Sequence, residues 1–230
     1  MSETIGGISV TEEQKELLEA HLRGVLEINK THNLTRITSW EEGMLLHIED
    51  SLVGIPEITE APEGRYADLG SGGGFPGVEA AIMTGRETLL VDSVQKKMVA
   101  LAGLMDEMGL SGTVSTYGGR IEDLSKEHPE EFAVLSARAL STLPSLLELS
   151  VPLLQIGGRL VCYKSQLPGN ELEEACALEQ KLGMKFVSNR EVVLSDGETL
   201  RRIVVFEKVA QPTVKLPRRV GMAQKRPYTA

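Results

Sequence analysis

A glycine-rich segment carries the clearest chemical signal in the sequence. Residues 68–77 read DLGSGGGFPG and lie between a short apolar stretch and a helical pattern, with Pro76 suited to the first helical turn. Glycine has no Cβ, so a ligand can approach the main chain closely, and the positive end of the helix attracts an anionic group. The segment therefore predicts a loop that binds a ligand through Gly70, Gly72 and Gly74.

Two carboxylates indicate which ligand that loop binds. Asp68 ends the strand before the loop, and Asp92, followed by Ser93, ends the next predicted strand. A carboxylate at the second position accepts both hydroxyls of a ribose, whereas one at the first position suits an ammonium group better than a pyrophosphate. S-adenosylmethionine has a ribose and an ammonium group but no phosphate, so we predict it as the cofactor. Residues 72–77 also match G-x-G-x-x-G, which leaves a dinucleotide-dependent oxidoreductase as an alternative.

The elements that position these residues alternate between strand and helix. From Pro62 onwards, short apolar runs that end in Gly or Asp alternate with helical patterns, which is typical of βαβ units in a parallel sheet. Strands are predicted at Arg65–Leu69, Thr88–Asp92, Thr113–Tyr117, Phe132–Ser136, Arg159–Tyr163, Glu191–Leu194 and Arg202–Val209. Helices are predicted at Gly77–Thr84, Val94–Met108, Ile121–Ser125, Leu143–Leu154 and Asn170–Leu182.

A hairpin is expected to close the sheet. Residues 195–198 read SDGE between the last two predicted strands, which is a tight-turn signal, so the final strand should run antiparallel. A mostly parallel seven-stranded sheet with a terminal hairpin is typical of class I S-adenosylmethionine-dependent methyltransferases, a Rossmann-like α/β fold.

The N-terminal region has a different pattern and is predicted to be a helical cap without strands. One helix should begin at Thr11 and end near Asn29, and a second should begin near Ser39. The expected organisation is a cap over residues 1–60, a methyltransferase domain over residues 61–210 and a basic tail over residues 211–230.

Composition excludes several classes of protein. Hydrophobic residues at 41% and charged residues at 25% are ordinary for a globular chain, and no apolar run is long enough to span a membrane. The start lacks a signal-peptide pattern, so a cytoplasmic protein is expected, and we also expect a monomer. Cys162, Cys176 and four scattered histidines form no ligand cluster, so we expect neither a disulfide nor a metal site.

The charges are distributed unevenly along the chain. The formal net charge of the 230 residues is −9, yet residues 211–230 contain five basic and no acidic residues. An acidic body with a basic end indicates a local surface for anions. A solvated tail without a ligand fits the same composition.

Six short motifs, in their order along the chain, resemble those of one family. They are Asn33–Ile37, His47–Leu52, Phe75–Gly77, Ser136–Ala139, Lys164–Gln166 and the basic segment 217–227. Together they resemble the bacterial small-subunit (16S) ribosomal RNA guanine-N7 methyltransferases, formerly called glucose-inhibited division protein B. The resemblance covers nearly the whole chain, with a mild departure in the three consecutive glycines at 72–74.

The resemblance implies an activity and a set of contacts. The activity is methyl transfer from S-adenosylmethionine to N7 of a guanine in 16S ribosomal RNA, with free RNA or the small ribosomal subunit as partner. It also implies that Gly70 and Phe75 contact the donor, that Ile121 and Glu122 line its adenine, and that Arg138 borders the site. From the residues alone, Phe75 suits an apolar core and positions 121–122 suit an ordinary helix start.

The residues after the fourth predicted strand are compatible with methylation of a ring nitrogen. Enzymes that methylate an exocyclic amine commonly carry Asn or Asp, two prolines and an aromatic residue there, whereas residues 136–139 read SARA. The N7 lone pair of guanine is not conjugated, so positioning is needed rather than a base. We predict that Arg138 and Lys164 position the substrate. Alternatively, Arg138 forms a salt bridge with a neighbouring acid, and Lys164 is an ordinary surface lysine. His47 and Asp50 are predicted to pair and tie the cap to the sheet.

RNA binding is assigned to a few cations. A tail that binds RNA predicts that deletion of residues 211–230 stops RNA methylation and spares donor binding. A methyltransferase of a small molecule or protein, and a non-catalytic RNA-binding assembly factor, are alternatives. The predicted RNA-binding residues are Arg36, Lys215, Arg218, Arg219, Lys225 and Arg226.

Overall fold

A computed structural model describes residues 3–229, which fold around a seven-stranded sheet. Its strands are β3 (Arg65–Leu69), β4 (Thr88–Asp92), β5 (Val114–Gly118), β6 (Phe132–Arg138), β7 (Leu154–Lys164), β8 (Met184–Val193) and β9 (Leu200–Lys208). They are ordered β5-β4-β3-β6-β7-β9-β8. β3 to β7 run parallel, and β9 runs antiparallel to both β7 and β8. The predicted α/β fold and its terminal hairpin are confirmed.

The helices cover both faces of this sheet. They are α1 (Glu12–His32), α2 (Trp40–Gly43), a π-helical segment (Met44–Glu49), α3 (Asp50–Leu52), α4 (Ile55–Thr59), α5 (Gly77–Thr84), α6 (Gln95–Glu107), α7 (Ile121–Glu127), α8 (Leu143–Ser150), α9 (Glu171–Cys176), α10 (Glu179–Leu182) and α11 (Met222–Lys225). None of the helices within residues 3–229 is both long and apolar enough to cross a membrane.

The expectation that residues 1–60 contain no strand is wrong. A small antiparallel hairpin of β1 (Glu3–Ile5) and β2 (Ile8–Val10) precedes α1. Gly6 and Gly7 form its two-residue turn with φ values of 56° and 79°, which are typical of the turns that match the twist of paired strands. The alternating residues on either side of the Gly-Gly pair are the signal that the prediction overlooked.

Two predicted helices are not continuous over their full predicted range. α8 ends at Ser150, because the apolar residues from Leu154 onwards continue the sheet as β7. The helix predicted over 170–182 is interrupted between α9 and α10. In contrast, α1 begins after Thr11 as predicted, since Thr11 and Gln14 form a reciprocal capping box.

Two apolar layers bury the sheet. The N-terminal helices, α5 and α6 cover one face, where Leu22, Ile48 and Tyr66 belong to one continuous core. Helices α7 to α11 cover the other face around Leu124 and Phe206. The N-terminal helices therefore share one continuous core with the sheet.

Candidate active site

A cavity of about 310 Å³ opens at the carboxyl ends of β3, β4, β5 and β6. We call it the glycine-loop pocket. In an open α/β sheet this edge is where ligands bind, because the loops after neighbouring strands converge there. The pocket is lined by Gly70, Gly72, Val91, Asp92, Ser93, Lys97, Gly119, Arg120, Ile121, Glu122, Arg138, Ala139, Leu140, Leu149 and Gln224.

The main chain of the glycine loop builds one wall of this pocket. Gly70 and Gly72 have φ values of 79° and 57°, a left-handed conformation that glycine adopts without a steric penalty. The amide of Gly72 donates to Asp92 Oδ2 at 3.1 Å, and that of Val94 donates to Oδ1 at 2.8 Å. The structure thus brings the loop and Asp92 together with Ser93, Ile121 and Glu122, all of which the sequence analysis assigned to the donor.

Asp68 lies beneath the loop and does not line the pocket. Its side chain is buried, and its Oδ1 accepts a hydrogen bond from Ser136 Oγ at 2.6 Å. Its Oδ2 has no hydrogen-bond partner among the described residues. Burial raises the pKa of Asp68 to about 6, because the charged form loses its solvation. The predicted direct contact with a ligand ammonium group is therefore not met by this geometry.

Phe75 also lies behind the loop rather than in the pocket. Its buried ring stacks on His47 at a centroid distance of 4.2 Å and contacts His21 at 4.5 Å. His21 holds the loop through Gly73 O at 3.1 Å and pairs with Glu79 Oε1 at 2.6 Å. The side chain of Phe75 is thus a core anchor that fixes the loop. Gly74, which was also predicted to bind the ligand, does not line the pocket; its φ is 94° and it packs against the His21 ring behind the loop.

A second cavity, of about 400 Å³, adjoins the first, and we call it the cap-side pocket. The two pockets have Arg138 and Ala139 in common. Ala139 has φ of 53°, unusual for a residue with a Cβ and a form of backbone strain that clusters at functional sites. The lining residues are Ile37, Leu46, His47, Asp50, Ala137, Arg138, Ala139, Ser141, Leu146, Tyr163, Lys164, Ser165, Gln166 and Arg201.

Arg138 is held between the pockets by the N-terminal helices. Its guanidinium donates to Asp50 Oδ2 and Leu46 O, both at 3.1 Å, and approaches His47 Nδ1 at 3.3 Å. The other oxygen of Asp50 accepts from Arg201 Nε at 2.8 Å. The salt bridge considered for Arg138 is therefore present, and Asp50 joins two cations from different strands.

The predicted direct pair between His47 and Asp50 is wrong. Both contact Arg138 instead, because the π-helical segment widens the turn between them, and such segments often occur at functional sites. A guanidinium only donates, so His47 Nδ1 accepts and its proton lies on Nε2, which donates to Thr35 Oγ1 at 2.8 Å. Burial and the charge of Arg138 lower the pKa of His47 to about 3, so the ring is neutral. The two residues still tie the cap to the sheet.

Lys164, Gln166 and Arg201 complete the polar lining of the cap-side pocket. Lys164 pairs with Glu171 at 2.8 Å and donates to Ser141 O at 3.1 Å. Arg201 is a site residue that the sequence analysis missed. It stands next to Arg202 in β9, and only the pairing of that strand decides which of the two faces Asp50.

The basic tail packs against the body of the protein rather than extending from it. Arg218 forms two hydrogen bonds of 2.5 Å with Glu148, which is buried in α8. Gly221 N donates to Glu122 Oε1 at 2.6 Å, and Gln224 lines the glycine-loop pocket. Deletion of residues 211–230 would therefore remove part of that pocket, so the expectation that it spares donor binding does not fit the structure.

The remaining predicted RNA-binding residues lie on the surface. Arg36 is exposed next to Ile37, which lines the cap-side pocket. Four cations of the tail are exposed, whereas Arg218 is paired with Glu148. The four are Lys215, Arg219, Lys225 and Arg226.

Comparison with known proteins places this geometry in context. The family model described as rRNA small subunit methyltransferase G (GidB) matches residues 14–199. A curated relative from Streptococcus pyogenes serotype M1, named ribosomal RNA small subunit methyltransferase G, is 34% identical over 225 residues, covering 96% of this chain and 94% of the relative.

Solved structures resemble the fold at low sequence identity. The Bacillus subtilis tRNA methyltransferase TrmK is similar with a TM-score of 0.55 and 14% identity, over 70% of this chain and 66% of that chain. A geranyl diphosphate methyltransferase in complex with SAM gives a TM-score of 0.54 and 12% identity, over 69% and 84% of the two chains. These likenesses confirm the predicted class of fold.

Proposed function

We propose that this chain, which belongs to the rRNA small subunit methyltransferase G family, transfers the methyl group of S-adenosylmethionine to N7 of a guanine in 16S ribosomal RNA. One observation carries the proposal: two pockets meet at Arg138 and Ala139, one built on the glycine loop and one lined by cations. A transfer reaction needs two adjoining sites, because it must hold the donor and the acceptor within bonding reach of each other.

The glycine-loop pocket fits the donor. Gly70 and Gly72 leave the main chain open to a ligand, and the Asp92 carboxylate keeps acceptor capacity beyond its two amide partners. Ile121 and Glu122 lie on the side of the pocket that the family resemblance assigns to the adenine of the donor. S-adenosylmethionine supplies an electrophilic methyl group on a sulfonium. The protein then has to orient the donor and exclude water around it.

The cap-side pocket fits an acceptor that needs no general base. His47 is neutral with a pKa of about 3, and both of its nitrogens are engaged in hydrogen bonds. Both oxygens of Asp50 accept from arginines, and Glu171, which contacts this lining, pairs with Lys164. Burial raises the pKa of Tyr163 well above its ordinary value, so its hydroxyl keeps its proton.

A ring nitrogen suits this pocket better than an exocyclic amine. The lone pair of guanine N7 is available without loss of a proton, so alignment alone promotes the reaction. Arg138, Lys164 and Arg201 supply donors that suit guanine O6 or a phosphate. Arg138 and Lys164 are thus positioning residues, held in place by their carboxylate partners.

The exposed cations supply the RNA-binding surface in this proposal. Arg36 flanks the cap-side pocket, and Lys215, Arg219, Lys225 and Arg226 extend from the tail. The rest of the chain is acidic, so phosphate binding is confined to these places and should weaken with salt. The guanine must also be exposed or turned out of its stack to enter the pocket.

The test is methyl transfer to ribosomal RNA with the product located. Labelled S-adenosylmethionine is incubated with the protein and small ribosomal subunits from cells that lack it, or with the RNA extracted from them. Strand cleavage specific for N7-methylguanine then locates the label, and cleavage at one guanine of 16S RNA is expected. A comparison of the two preparations shows whether ribosomal proteins are needed.

Two other results would contradict the proposal at different points. Label in RNA without N7-specific cleavage would refute the acceptor atom and leave the family assignment intact. Absence of label from both preparations, although the donor binds, would refute RNA as the substrate and favour a small molecule or protein.

A further inference from the structure

We propose that residues 217–229, here called the C-terminal clasp, form the outer wall of the methyl-donor pocket and that Gln224 contacts the adenosine end of the donor. This inference rests on the proposed function, because it concerns the same pocket. It assigns a donor-binding role to a segment whose composition indicates only a basic tail.

Two buried carboxylates hold the clasp in place. Glu148, which is 2% exposed, accepts two hydrogen bonds of 2.5 Å from Arg218, so the pair has the bidentate geometry of strong carboxylate recognition. The guanidinium of Arg218 also lies 4.1 Å from the ring centroid of Tyr228. Glu122 Oε1 accepts from Gly221 N at 2.6 Å, and Ala223 is buried.

These anchors belong to the same elements that line the pocket. Glu122 lies in the first turn of α7 and lines the pocket itself, and Leu149, the neighbour of Glu148 in α8, lines it as well. Gln224 lies three residues beyond Gly221, in the short helix α11, and also lines the pocket. The clasp is therefore joined to the pocket on the side of Ile121 and Glu122.

A side chain such as that of Gln224 suits the adenine on the Ile121 and Glu122 side of the pocket. The edge of an adenine presents hydrogen-bond donors and acceptors side by side, and a carboxamide offers both at once. One oxygen of Glu122 is already engaged by Gly221, whereas the Gln224 side chain is exposed and free to turn towards a ligand. Arg219, Lys225 and Arg226 flank it, so the clasp joins donor binding and RNA binding in one segment.

The test is calorimetric titration of the full-length protein with S-adenosylhomocysteine, the product form of the donor. Gln224→Ala is expected to raise the dissociation constant about three- to tenfold, the value of about one hydrogen bond. Because Gln224 is exposed, this variant should fold normally. Gln211→Ala is the matched control, since that glutamine bonds Glu130 and lies outside the clasp; its binding should equal that of the unchanged protein.

A second ligand tests which end of the donor Gln224 contacts. 5′-Methylthioadenosine lacks the amino-acid end of the donor, so a contact to the adenosine end predicts the same fold loss for both ligands. Equal binding of S-adenosylhomocysteine by Gln224→Ala and the unchanged protein would overturn the inference and leave the proposed function standing. Failure of the unchanged protein to bind S-adenosylhomocysteine would overturn both.

Discussion

The two pockets are neighbours, yet they are built in different ways. The glycine-loop pocket is formed mostly by main chain and by residues within a few positions of four strand ends, with Leu149 and Gln224 added from α8 and α11. The cap-side pocket is formed by side chains that are far apart in sequence, with Asp50 joined to Arg138 and Arg201. The backbone therefore defines the shape of the glycine-loop pocket, whereas a network of ion pairs defines the shape of the cap-side pocket.

The same contrast holds for one carboxylate in each region. Asp68, beneath the glycine loop, is buried with one oxygen lacking a hydrogen-bond partner among the described residues. Asp50, beside the cap-side pocket, has each oxygen bonded to an arginine. A buried charge costs stability unless it is paired, so the two sites should respond differently to substitution.

The largest effect should come from Arg138→Ala, which tests whether the shared residue acts in transfer. Loss of its guanidinium leaves the substrate misaligned at the junction of the pockets, and we expect methyl transfer to slow by about 100- to 1000-fold. The affinity for S-adenosylhomocysteine should change much less. Steady-state kinetics and calorimetry measure the two quantities.

Arg190→Ala is the matched control for this change. Arg190 also holds the N-terminal helices to the sheet, through Glu57 at 2.6 and 2.8 Å, but it lines neither pocket. Equal loss of transfer in both variants would mean that Arg138 acts only by holding the helices.

A smaller effect, on stability, should come from Asp68→Asn. The folded pKa of Asp68 is about 6 against an ordinary value of 3.8, because burial disfavours its charge. The folded state therefore binds the proton more tightly than the unfolded state does. The stability that Asp68 contributes is complete below about pH 4 and is lost as the pH rises through about 6.

The measurement is urea denaturation of both proteins from pH 4 to pH 8. The variant does not titrate at this position, so its stability relative to the unchanged protein should rise over this range, by up to about 3 kcal/mol. A difference that stays constant with pH would show that the carboxyl group of Asp68 is not perturbed.

The smallest effect should come from Gly70→Ala, which tests whether the backbone shapes the donor pocket. Gly70 has φ of 79°, and an added Cβ would lie 2.9 Å from Leu140 Cδ1, so Leu140 must shift within the pocket. We expect the affinity for S-adenosylhomocysteine to fall about tenfold, since misfit and strain together cost about 1–2 kcal/mol.

Gly85→Ala separates strain from pocket shape. Gly85 has a similar φ of 68° at the end of α5, and nothing lies within 4 Å of an added Cβ. Both variants should lose similar stability, but donor binding should fall only for Gly70→Ala. An equal fall in both would attribute the effect to a general loss of stability.

Much of the fold could be predicted because its signals are local. The alternation of apolar runs and helical patterns predicted β3 to β6 closely, and the turn at residues 195–198 predicted the antiparallel hairpin. The errors arose where neighbouring patterns compete. Residues 154–164 continue as one strand although their start also fits a helix, and the Gly6-Gly7 turn pairs two strands of three residues each.

The site divides in the same way. Gly70, Gly72, Asp92 and Ser93, which were predicted to bind the donor, lie together in the pocket because each is at or near a strand end. Ile121 and Glu122, which the family resemblance implied, line the same pocket from the start of α7. Asp68 and Phe75 were predicted to contact the ligand, but they support the loop from behind. Their side chains point into the core, and the sequence does not reveal that direction. Arg201 and Gln224 were missed, since no local pattern marks either of them.

The sequence by itself determined the class of fold, the glycine loop and the family, because each is indicated by short motifs whose own residues are close together in the chain. Only the tertiary structure decided that Asp50 links two arginines and that the basic tail closes a pocket. The physical reason is that such contacts join residues as much as 151 positions apart, so they depend on how the strands pair and pack. Local propensity carries no information about that pairing.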